Sequence, residues 1–407
     1  MPRTILATAI LLAAAALPSH GQAQHKRFMG GPVTLVDQGS FFVGGVTKVS
    51  EYAAVPGAPP GQPTPPRTPQ QITIGQMYVQ FQIPQRLASP GWPVIMVHGS
   101  THTGAALEST PDGREGWYPY FVRKGVATYV VDQAGRGRSG FDQSVLNEAE
   151  ALMLAGSRDA ATAALPTLQR ITDNGAYQAW FGHLLPAGAT IVTGRLVPHG
   201  SPDDPQGSGS AEEPHAAPLF PLADVAEYYK QLVPNAEATL PGSTCMTCMP
   251  QELAPANTWT PQNLALLVER LGGAIVATHS QSGIMGHHMI RILKERGHTD
   301  LVKGLITIEG GCSLPQSGLT AADFDAIPYL AIKGDYTATS QQCQESADAI
   351  NARRAQGQGT AKAEYVKLDE LGMLGVTHMM MLDANNLEIA DVMLEWVGKN
   401  VPRAPRR

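Results

Sequence analysis

The segment from Ile275 to Gly283 constrains the fold of this chain more than any other part of its sequence. It reads Ile-Val-Ala-Thr-His-Ser-Gln-Ser-Gly, and a helix-like pattern follows it through Arg296. A short apolar run that stops at a serine directly before a helix is typical of a nucleophile elbow. In that tight turn, a strand of a parallel sheet passes into a helix and lifts the serine hydroxyl above the sheet. The segment therefore predicts an α/β fold with an accessible serine at the carboxyl edge of its sheet.

Ser280 is the better of the two candidate serines in this turn. The turn is crowded, so the residues two positions before and two positions after the nucleophile must be small. Thr278 and Ser282 meet this condition for Ser280, whereas a nucleophile at Ser282 would place the bulky Ile284 there. Neither flanking position of Ser280 is the usual glycine, and a serine that caps a helix also explains such a segment. Catalysis and capping remain alternatives on this segment alone.

The first 23 of the 407 residues have the pattern of a secretory signal peptide. Arg3 supplies a positive charge, Ile5 to Leu17 is almost entirely apolar, and small residues precede the expected cleavage after Ala23. No later stretch approaches the roughly 20 apolar residues of a membrane span. We expect a soluble mature protein, secreted or periplasmic, that does not act at a membrane.

The distribution of charge argues against nucleic acid as a partner. The formal net charge is −6 at pH 7, and acidic and basic residues are interspersed without long blocks. A protein that binds nucleic acid usually presents a basic stripe, and this sequence has none. The basic tail at residues 401–407 is interpreted as a solvated terminus.

The four cysteines suggest two disulfides, because disulfides persist in exported proteins. Cys245 and Cys248 are close enough in sequence to pair across a tight loop, which leaves Cys312 and Cys343 for a longer bridge. A bridge of that length contributes about 3–4 kcal/mol if it acts by restricting the unfolded chain. Zinc binding and redox chemistry are the alternatives for the Cys-x-x-Cys pair, although the sequence has no second such pair.

The order of apolar and polar segments divides the mature chain into a core and an insertion. Residues 24–75 form a β-rich and then proline-rich segment, and residues 76–140 and 261–400 alternate short apolar strands with helices. Such alternation predicts a mostly parallel sheet covered by helices on both faces. Residues 141–260 break the pattern, and a structureless loop of that length is uncommon inside a compact domain. We therefore expect them to form a lid or cap before the elbow.

Chemically suggestive residues follow four of the predicted core strands and precede the last helix. In such sheets the ligand lies beyond the carboxyl ends of the strands, so these residues are expected to meet at one edge. In chain order they are His98-Gly99-Ser100-Thr101, the glycine loop from Asp132 to Ser139, the elbow at Ser280, Glu309-Gly310-Gly311 and Gly375-Val376-Thr377-His378.

Ser280, an acid and then His378 follow one another along the chain in the order of a Ser–acid–His triad in α/β-hydrolases. A serine hydroxyl is a poor nucleophile until a base takes its proton. Histidine can do so at neutral pH, and a carboxylate fixes its tautomer. Backbone N–H groups must also bind the oxyanion that forms when the serine attacks. We predict that the N–H groups of Ser100 and Gln281 do so.

Two residues compete for the position of the acid. Asp335 follows the strand after the one that ends at Glu309, and many α/β-hydrolases carry their acid there. An aspartate in an Ile-Lys-Gly-Asp turn can, however, simply stabilise a loop. Glu309 is harder to explain as a structural residue, because it ends a buried strand and two glycines follow it. We favour Glu309 and keep Asp335 as the alternative.

These motifs resemble those of the α/β-hydrolase superfamily and, more narrowly, those of a small group of secreted bacterial carboxylesterases. The resemblance covers roughly residues 75–400, and its most specific wording is Thr110 to Arg114, His279 to Gly283 and His378 to Met381. It implies an α/β-hydrolase fold, a Ser–His–Glu triad with Glu309 as the acid, and a long insertion before the elbow. It also implies a bridge between Cys312 and Cys343, and makes a homodimer the expected assembly.

The function that these predictions favour is hydrolysis of a small carboxylic ester through an acyl-enzyme intermediate, without a metal or a cofactor. Thr101 and His102 are expected near the substrate. The remaining histidines receive structural interpretations: His98 orients the oxyanion turn, and His279, His287 and His288 pack or hydrogen-bond in the core. Amide, lactone and polyester hydrolysis remain open because the same triad serves all acyl transfers, and an inactive hydrolase-fold binding protein is a further alternative.

Overall fold

The computed structural model describes residues 28–55, 61–63, 65–166, 168–181, 218–242, 259–337 and 340–405. The expected signal peptide and the Cys245–Cys248 pair lie outside these ranges. Within them, no helix is long and apolar enough to span a bilayer.

The strands of the core form one mostly parallel sheet, as the alternation of strands and helices predicts. They are β1 (Leu35–Ser50), β2 (Gln70–Pro84), β3 (Val94–Val97), β4 (Thr128–Asp132), β5 (Ala274–His279), β6 (Val302–Ile308), β7 (Tyr329–Lys333) and β8 (Ala363–Lys367). Their order across the sheet is β1-β2-β4-β3-β5-β6-β7-β8. β2 runs antiparallel to both β1 and β4, and the other neighbours pair in parallel. The predicted fold class is confirmed.

The N-terminal segment contributes to this sheet. β1 and β2 form a long antiparallel pair in which Leu35 lies opposite Pro84 and Ser50 lies opposite Gln70. The boundary expected between residues 75 and 76 therefore falls inside β2. The reason is that the alternation of apolar side chains in this strand extends back to Ile72 and Ile74 and so continues the sheet.

Helices cover both faces of the sheet. They are α1 (Ala105–Glu108), α2 (Trp117–Arg123), α3 (Gln143–Leu154), α4 (Arg158–Ala164), α5 (Asp173–Trp180), α6 (Val225–Tyr229), α7 (Trp259–Leu271), α8 (Ser282–Glu295), α9 (Gln341–Ala355) and α10 (Asn386–Asn400). Alternate residues of β5 point to the two faces: Ile275 and Ala277 pack with α2 and α10, whereas Ala274 and Val276 pack with α7, α8 and α9. This double covering explains why the central strands are continuous apolar runs.

The parallel strands end level with one another, which brings their following loops together. Val97 of β3 lies opposite Thr278 of β5, His279 lies opposite Ile308 of β6, and Ile308 lies opposite Ile332 of β7. The chain also changes direction beside β3, since β4 lies on one side of it and β5 on the other. A crevice outside the carboxyl ends at such a switch point is the usual ligand site in open α/β sheets.

The described parts of residues 141–260 contain α3 to α6 and contact this carboxyl edge. The N–H of Val233 donates to the carbonyl of Thr101 at 2.8 Å, and the N–H of Leu219 donates to that of Gly375 at 2.8 Å. After β6, Cys312 forms the predicted disulfide with Cys343 of α9, and their Cα atoms are 4.9 Å apart. The bridge ties the loop after β6 to α9.

Candidate active site

Ser280 occupies a strained turn between β5 and α8. Its φ angle is +54°, and its N–H donates to the carbonyl of Ile308 at 2.9 Å. The carbonyl of Ser280 in turn accepts the N–H of Gly283 at 2.9 Å. A residue other than glycine at positive φ costs on the order of 1–3 kcal/mol and persists where the surroundings hold it in place. The segment thus has the backbone of an elbow even though its usual glycines are missing.

The second serine of the turn has a structural place. Ser282 is fully buried, and its hydroxyl oxygen accepts the N–H of His279 at 2.8 Å and lies 3.0 Å from the carbonyl oxygen of Val97. These contacts brace β5 against β3 directly behind the turn. The N-cap residue of α8 is Gln281, whose side chain accepts no hydrogen bond from the helix, so Ser280 is not the capping residue of this helix.

Two glycines allow the loop after β6 to approach the elbow. A Cβ atom on Gly283 would lie 2.7 Å from the Cα of Gly310, and one on Gly310 would lie 2.7 Å from the carbonyl oxygen of Ser280. Real side chains do not fit at such distances. The contact places the residue before Gly310, which is Glu309, beside the turn that carries Ser280.

His378 links Ser280 to Glu309. Its Nε2 lies 3.0 Å from the Ser280 Oγ, and its Nδ1 lies 2.5 Å from the Glu309 Oε2. The other carboxylate oxygen of Glu309 accepts the N–H of Gly334 at 2.5 Å and the hydroxyl of Thr337 at 2.6 Å. With Nδ1–H donating to the carboxylate, the Nε2 lone pair faces the serine hydroxyl. This is the tautomer that general-base catalysis requires.

Asp335, the alternative acid, has a different environment. Its carboxylate accepts the N–H of Gly375 at 3.0 Å, and its own N–H donates to the carbonyl of Val376 at 2.9 Å. Both contacts support the loop that leads to His378. Of the two carboxylates, Glu309 is the one that the structure brings to the His378 ring.

The backbone of His378 is held from two sides. Its N–H donates to the carbonyl of Trp180 at 2.9 Å, and its carbonyl oxygen lies 2.8 Å from the His279 Nε2. Burial lowers the pKa of His279 well below its ordinary value, so the ring is neutral and donates through Nε2. The residue before the nucleophile therefore has a hydrogen-bonding role as well as a packing role.

The loop after His378 depends on residues whose roles the sequence does not reveal. Arg114 donates to the carbonyls of Leu382 at 2.8 Å and Asp383 at 2.7 Å. The buried Asp383 carboxylate accepts both the N–H and the hydroxyl of Thr377 at 2.7 Å. Burial raises the pKa of Asp383 to about 7. The Thr110 to Arg114 motif thus has a physical role, because Arg114 anchors the loop that carries the histidine.

The turn after β3 runs directly against the elbow. A Cβ on Gly99 would lie 3.0 Å from the Ser280 Cβ and 2.8 Å from the His279 Nδ1. The next residue, Ser100, was predicted to donate its N–H to the oxyanion, and this contact puts its peptide group beside the nucleophile. Thr101 follows with a φ of +55°, a second strained position at the site.

His102 is buried and does not face solvent. Its Nδ1 lies 2.7 Å from the carbonyl oxygen of Ser100, and its Nε2 lies 3.0 Å from the Tyr228 hydroxyl. Burial lowers the pKa of His102 to about 4, so the ring is neutral. Both ring nitrogens contact partners inside the protein, so His102 supports the turn after β3. Thr101 is buried as well and contacts the insertion through its carbonyl.

His98, His287 and His288, for which the sequence predicts structural roles, have protein partners or core positions. His98 accepts the N–H of Gln133 at 3.0 Å through Nε2, while its Nδ1 lies 2.8 Å from the carbonyl oxygen of Gly99. These contacts orient the turn after β3. His287 and His288 are buried on α8, and burial lowers the pKa of each to about 4.

Comparison with known proteins agrees with this architecture. No model of a protein family matches the chain. A solved structure described as a novel bacterial esterase is 31% identical, with a TM-score of 0.68 over 91% of this chain and 98% of that one. This chain belongs to the α/β-hydrolase superfamily. A second relative is a fungal protein (strain ATCC 74256) described as a "probable secreted lipase", phiG. It is 26% identical to this α/β-hydrolase, and the match covers 79% of the α/β-hydrolase and 86% of the fungal protein.

Proposed function

We propose that this α/β-hydrolase is an exported serine esterase that cleaves carboxylic esters through an acyl-enzyme intermediate. One observation carries the proposal: the continuous hydrogen-bonded chain from Ser280 through His378 to Glu309. Membership of a family whose relatives are esterases and lipases makes a carboxylic ester hydrolase the class of enzyme. The geometry of the three side chains supports the proposed serine mechanism and the roles proposed for individual residues.

In the first half of the reaction, the Ser280 Oγ attacks the ester carbonyl carbon while its proton moves to the His378 Nε2. The ring then carries a positive charge that the Glu309 carboxylate stabilises through Nδ1–H. The tetrahedral intermediate collapses when the same Nε2 proton passes to the alkoxy oxygen. The alcohol leaves, and the acyl group stays on Ser280.

In the second half, water takes the place of the alcohol. His378 Nε2 removes a proton from the water, the resulting hydroxide adds to the acyl carbon, and a second tetrahedral intermediate forms. Collapse of this intermediate returns the proton to Ser280 and releases the carboxylic acid. Each step uses the same proton path, so one arrangement of side chains serves both halves.

The negative charge on the intermediate requires donors that are already in position. We assign the N–H groups of Gln281 and Ser100 to this role, since one directly follows the nucleophile and the other lies in the turn against it. Loss of one such donor typically lowers kcat by about 10²–10³-fold. The close approach of Gly99 to the Ser280 side chain supports the assignment.

The described parts of the insertion are suited to form a roof over this site. The ring of Trp180 lies 6.2 Å from that of His378, centroid to centroid, and 5.1 Å from that of His102. Phe181, Phe220 and Tyr228 pack against one another behind it. An aromatic roof held by backbone hydrogen bonds excludes water from the reacting groups, which strengthens every electrostatic contact below it.

Labelling with a fluorophosphonate probe tests the mechanism. Mass spectrometry should find the probe on Ser280, and Ser280→Ala should lose both the label and the cleavage of p-nitrophenyl acetate. Ser157→Ala changes an exposed serine at the N-terminus of α4 and should behave as the wild type. A label on another serine, or an active Ser280→Ala variant, would contradict the proposed mechanism.

Export and assembly are tested separately. The predicted signal peptide and the secreted fungal relative both support export. Expression of the full chain in a bacterial host should give a mature N-terminus at Gln24 outside the cytoplasm. Light scattering of the mature protein will decide between a monomer and the predicted homodimer.

A further inference from the structure

Arg136 is a charged residue buried beneath the site, and the mechanism above does not use it. It lies in the glycine loop after β4 and is 1% exposed. Its Nη1 donates to the carbonyl of Gly99 at 3.0 Å, and its Nη2 donates to the side-chain oxygen of Gln281 at 2.6 Å. One guanidinium group therefore joins the turn after β3 to the first residue after the nucleophile.

Both contacts fall on groups that determine where the oxyanion donors point. The Gly99 carbonyl and the Ser100 N–H belong to the same peptide unit, which is planar and trans, so the two groups point in opposite directions. The hydrogen bond from Arg136 holds the Gly99 carbonyl, and it therefore also fixes the direction of the Ser100 N–H, which points away from Arg136. Gln281 carries the second N–H, and its side chain is held by the other arm of the same group. Because a guanidinium is rigid and planar, the separation of its two acceptors is fixed as well.

The surroundings of Arg136 are built to keep a charge there. Burial lowers the pKa of Arg136 to about 10, a shift that the charge of the fully buried Glu237 of the insertion opposes, so the guanidinium group remains protonated at neutral pH. Gly135 lets the two segments meet, since a Cβ at that position would lie 2.5 Å from the Glu237 nitrogen. The N–H of Ala236 also donates to the Gly135 carbonyl at 3.0 Å.

Packing alone does not explain this arrangement. Removing two charges from water costs several kcal/mol per ion, and apolar side chains of similar volume are often at least as stabilising. What a buried arginine offers and an apolar side chain does not is a rigid fork with two directed donors. Here the two arms reach the two halves of the proposed oxyanion hole.

We infer that Arg136 is a positioning residue that sets the spacing of the Ser100 and Gln281 N–H groups. The inference rests on the proposed function of these two N–H groups. It predicts a loss of transition-state binding with little loss of substrate binding. Misplacement of a catalytic group by about 1 Å can lower the rate roughly 10²-fold.

The test compares Arg136→Met with the wild type. We expect kcat for p-nitrophenyl acetate to fall about 30–100-fold, while KM changes less than about threefold. The affinity for a trifluoromethyl ketone, which mimics the tetrahedral intermediate, should fall by the same factor as kcat/KM. Arg136→Lys should be intermediate, because an ammonium group cannot hold both acceptors in a fixed fork. Arg136→Met/Glu237→Gln removes both buried charges and replaces the single variant if that one does not fold.

Two further variants separate positioning from general stability. Gln281→Met keeps the backbone N–H but removes one acceptor of the fork, so its effect should be smaller than that of Arg136→Met and should not add to it. Arg353 forms a bidentate pair with Asp325, remote from the site, with both distances at 2.7 Å. Arg353→Met therefore removes a comparable fork and should leave kcat/KM and inhibitor affinity unchanged.

Hydrogen exchange distinguishes failure of the inference from failure of the proposed function. Peptides that cover residues 98–104 and 280–284 should exchange faster in Arg136→Met than in the wild type, whatever the enzyme acts on. Unchanged exchange there, or an unchanged ratio of inhibitor affinity to substrate affinity, would overturn the role of Arg136. A wild type that cleaves no ester but shows the exchange difference would overturn the function and retain the positioning role.

Discussion

Glu309 and Asp335 follow neighbouring strands, β6 and β7, and each carboxylate accepts a hydrogen bond from a backbone N–H group. Their directions differ. Glu309 reaches across the end of β7 to the His378 ring, whereas Asp335 points to the N–H of Gly375 in the loop that leads to that histidine. The comparison shows that a carboxylate at a strand end is not enough to identify the acid. The backbone conformation of the loop decides which side chain meets the ring.

The loop after β7 forms a hydrogen-bonding cradle (Gly334 and Thr337) for Glu309, which lies in the loop after β6. The Gly334 N–H and the Thr337 hydroxyl both donate to the Glu309 Oε1. A Cβ on Gly334 would lie 3.1 Å from that oxygen and 2.6 Å from the carbonyl oxygen of Val376, so glycine keeps the approach open. Asp335, one residue later, then supports the opposite side of the same loop.

Backbone strain separates the two carboxylates as well. Among the described residues, the non-glycine positions with positive φ are Thr101, Ser280 and Glu309, which follow β3, β5 and β6. Such positions are retained where the surrounding structure fixes them, and they cluster at functional sites. Glu309 belongs to this strained set with the nucleophile, and Asp335 does not.

The largest expected effect is the fall in kcat that Glu309→Gln causes. An amide in place of the acid that orients the histidine favours the wrong tautomer and lowers kcat about 10⁴-fold in the Ser–His–Asp template. We expect a loss of about 10³–10⁴-fold in kcat here, with KM nearly unchanged. Steady-state kinetics with p-nitrophenyl acetate measures it.

Asp335→Asn is the matched control for that variant. It removes a carboxylate from the next loop while keeping its size and an oxygen that can accept the Gly375 N–H. Its kcat/KM should remain within about tenfold of the wild type, since the lost contact supports a loop and does not touch the ring. If Asp335→Asn were as damaging as Glu309→Gln, the distinction between the two carboxylates would be wrong.

The second effect concerns stability. The loop after Glu309 is tied to α9 by the Cys312–Cys343 disulfide, which closes a separation of 31 residues. Cys312→Ala/Cys343→Ala should lower the free energy of unfolding by about 3–4 kcal/mol, measured by urea denaturation. The activity at 25 °C should stay within about threefold of the wild type because the triad hydrogen bonds remain.

Reductant provides the control for the disulfide. It should destabilise the wild type at least as much as the double substitution does. Any further loss that reductant causes in the double variant reports the predicted Cys245–Cys248 pair. A double variant that is fully folded but inactive would show instead that the bridge positions Glu309 directly.

The sequence predicts the bounds of several core elements well. The sequence predicts a helix at about Gln341 to Ala355 and a strand from Pro328 to Ile332. The structure has the helix at Gln341–Ala355 and the strand at Tyr329–Lys333. Local patterns suffice there, because both elements are long or fully buried. β2 begins earlier than expected, since its alternation continues through residues that also read as the end of a proline-rich connector.

The residues at the strand ends were predictable in kind but not in orientation. The sequence places Ser280, Glu309 and His378 in loops that must share an edge, because parallel strands align their carboxyl ends. It does not reveal that Arg136 turns inward, that Asp383 is buried under the histidine loop or that His102 faces away from solvent. The orientations of Arg136 and His102 depend on contacts with segments more than 100 residues away, at Gln281 and Tyr228 respectively. Arg136 was still visible as one arginine of a glycine loop placed at a strand end.

A third, smaller effect tests the cradle itself. Thr337→Val keeps the shape of the side chain but removes the hydroxyl that donates to the Glu309 Oε1 at 2.6 Å. A hydrogen bond to a charged acceptor contributes about 1.5–3 kcal/mol, and part of this orients the carboxylate, so we expect kcat to fall about tenfold. The same substitution in Glu309→Gln should have little further effect. Thr162→Val, on the exposed face of α4, is the control. If it lowered kcat as much as Thr337→Val does, the cradle would not explain the loss.

A further effect is a pH dependence of stability at Asp383, a third carboxylate beside the histidine loop. Burial, with a further contribution from the Glu309 charge, raises its pKa from 3.8 to about 7. Between these values the folded state keeps a proton that the unfolded state has released, so the free energy of unfolding falls as the pH rises. Above the folded-state pKa this contribution is constant. Asp383→Asn should remove this part of the slope when urea denaturation is measured from pH 5 to pH 8.

The same titration distinguishes Glu309 from Asp335 without reference to activity. The negative charge of Glu309 raises the pKa of Asp383, so Glu309→Gln should lower that pKa and move the upper end of the sloping window to lower pH. Asp335→Asn removes a charge of the same sign from the next loop and should leave the window in place. Each variant is also measured in the Asp383→Asn background, and the slope found there is subtracted so that only the contribution of Asp383 is compared. Equal shifts from the two carboxylate variants would mean that their charges reach the histidine loop equally, and geometry alone would then separate them.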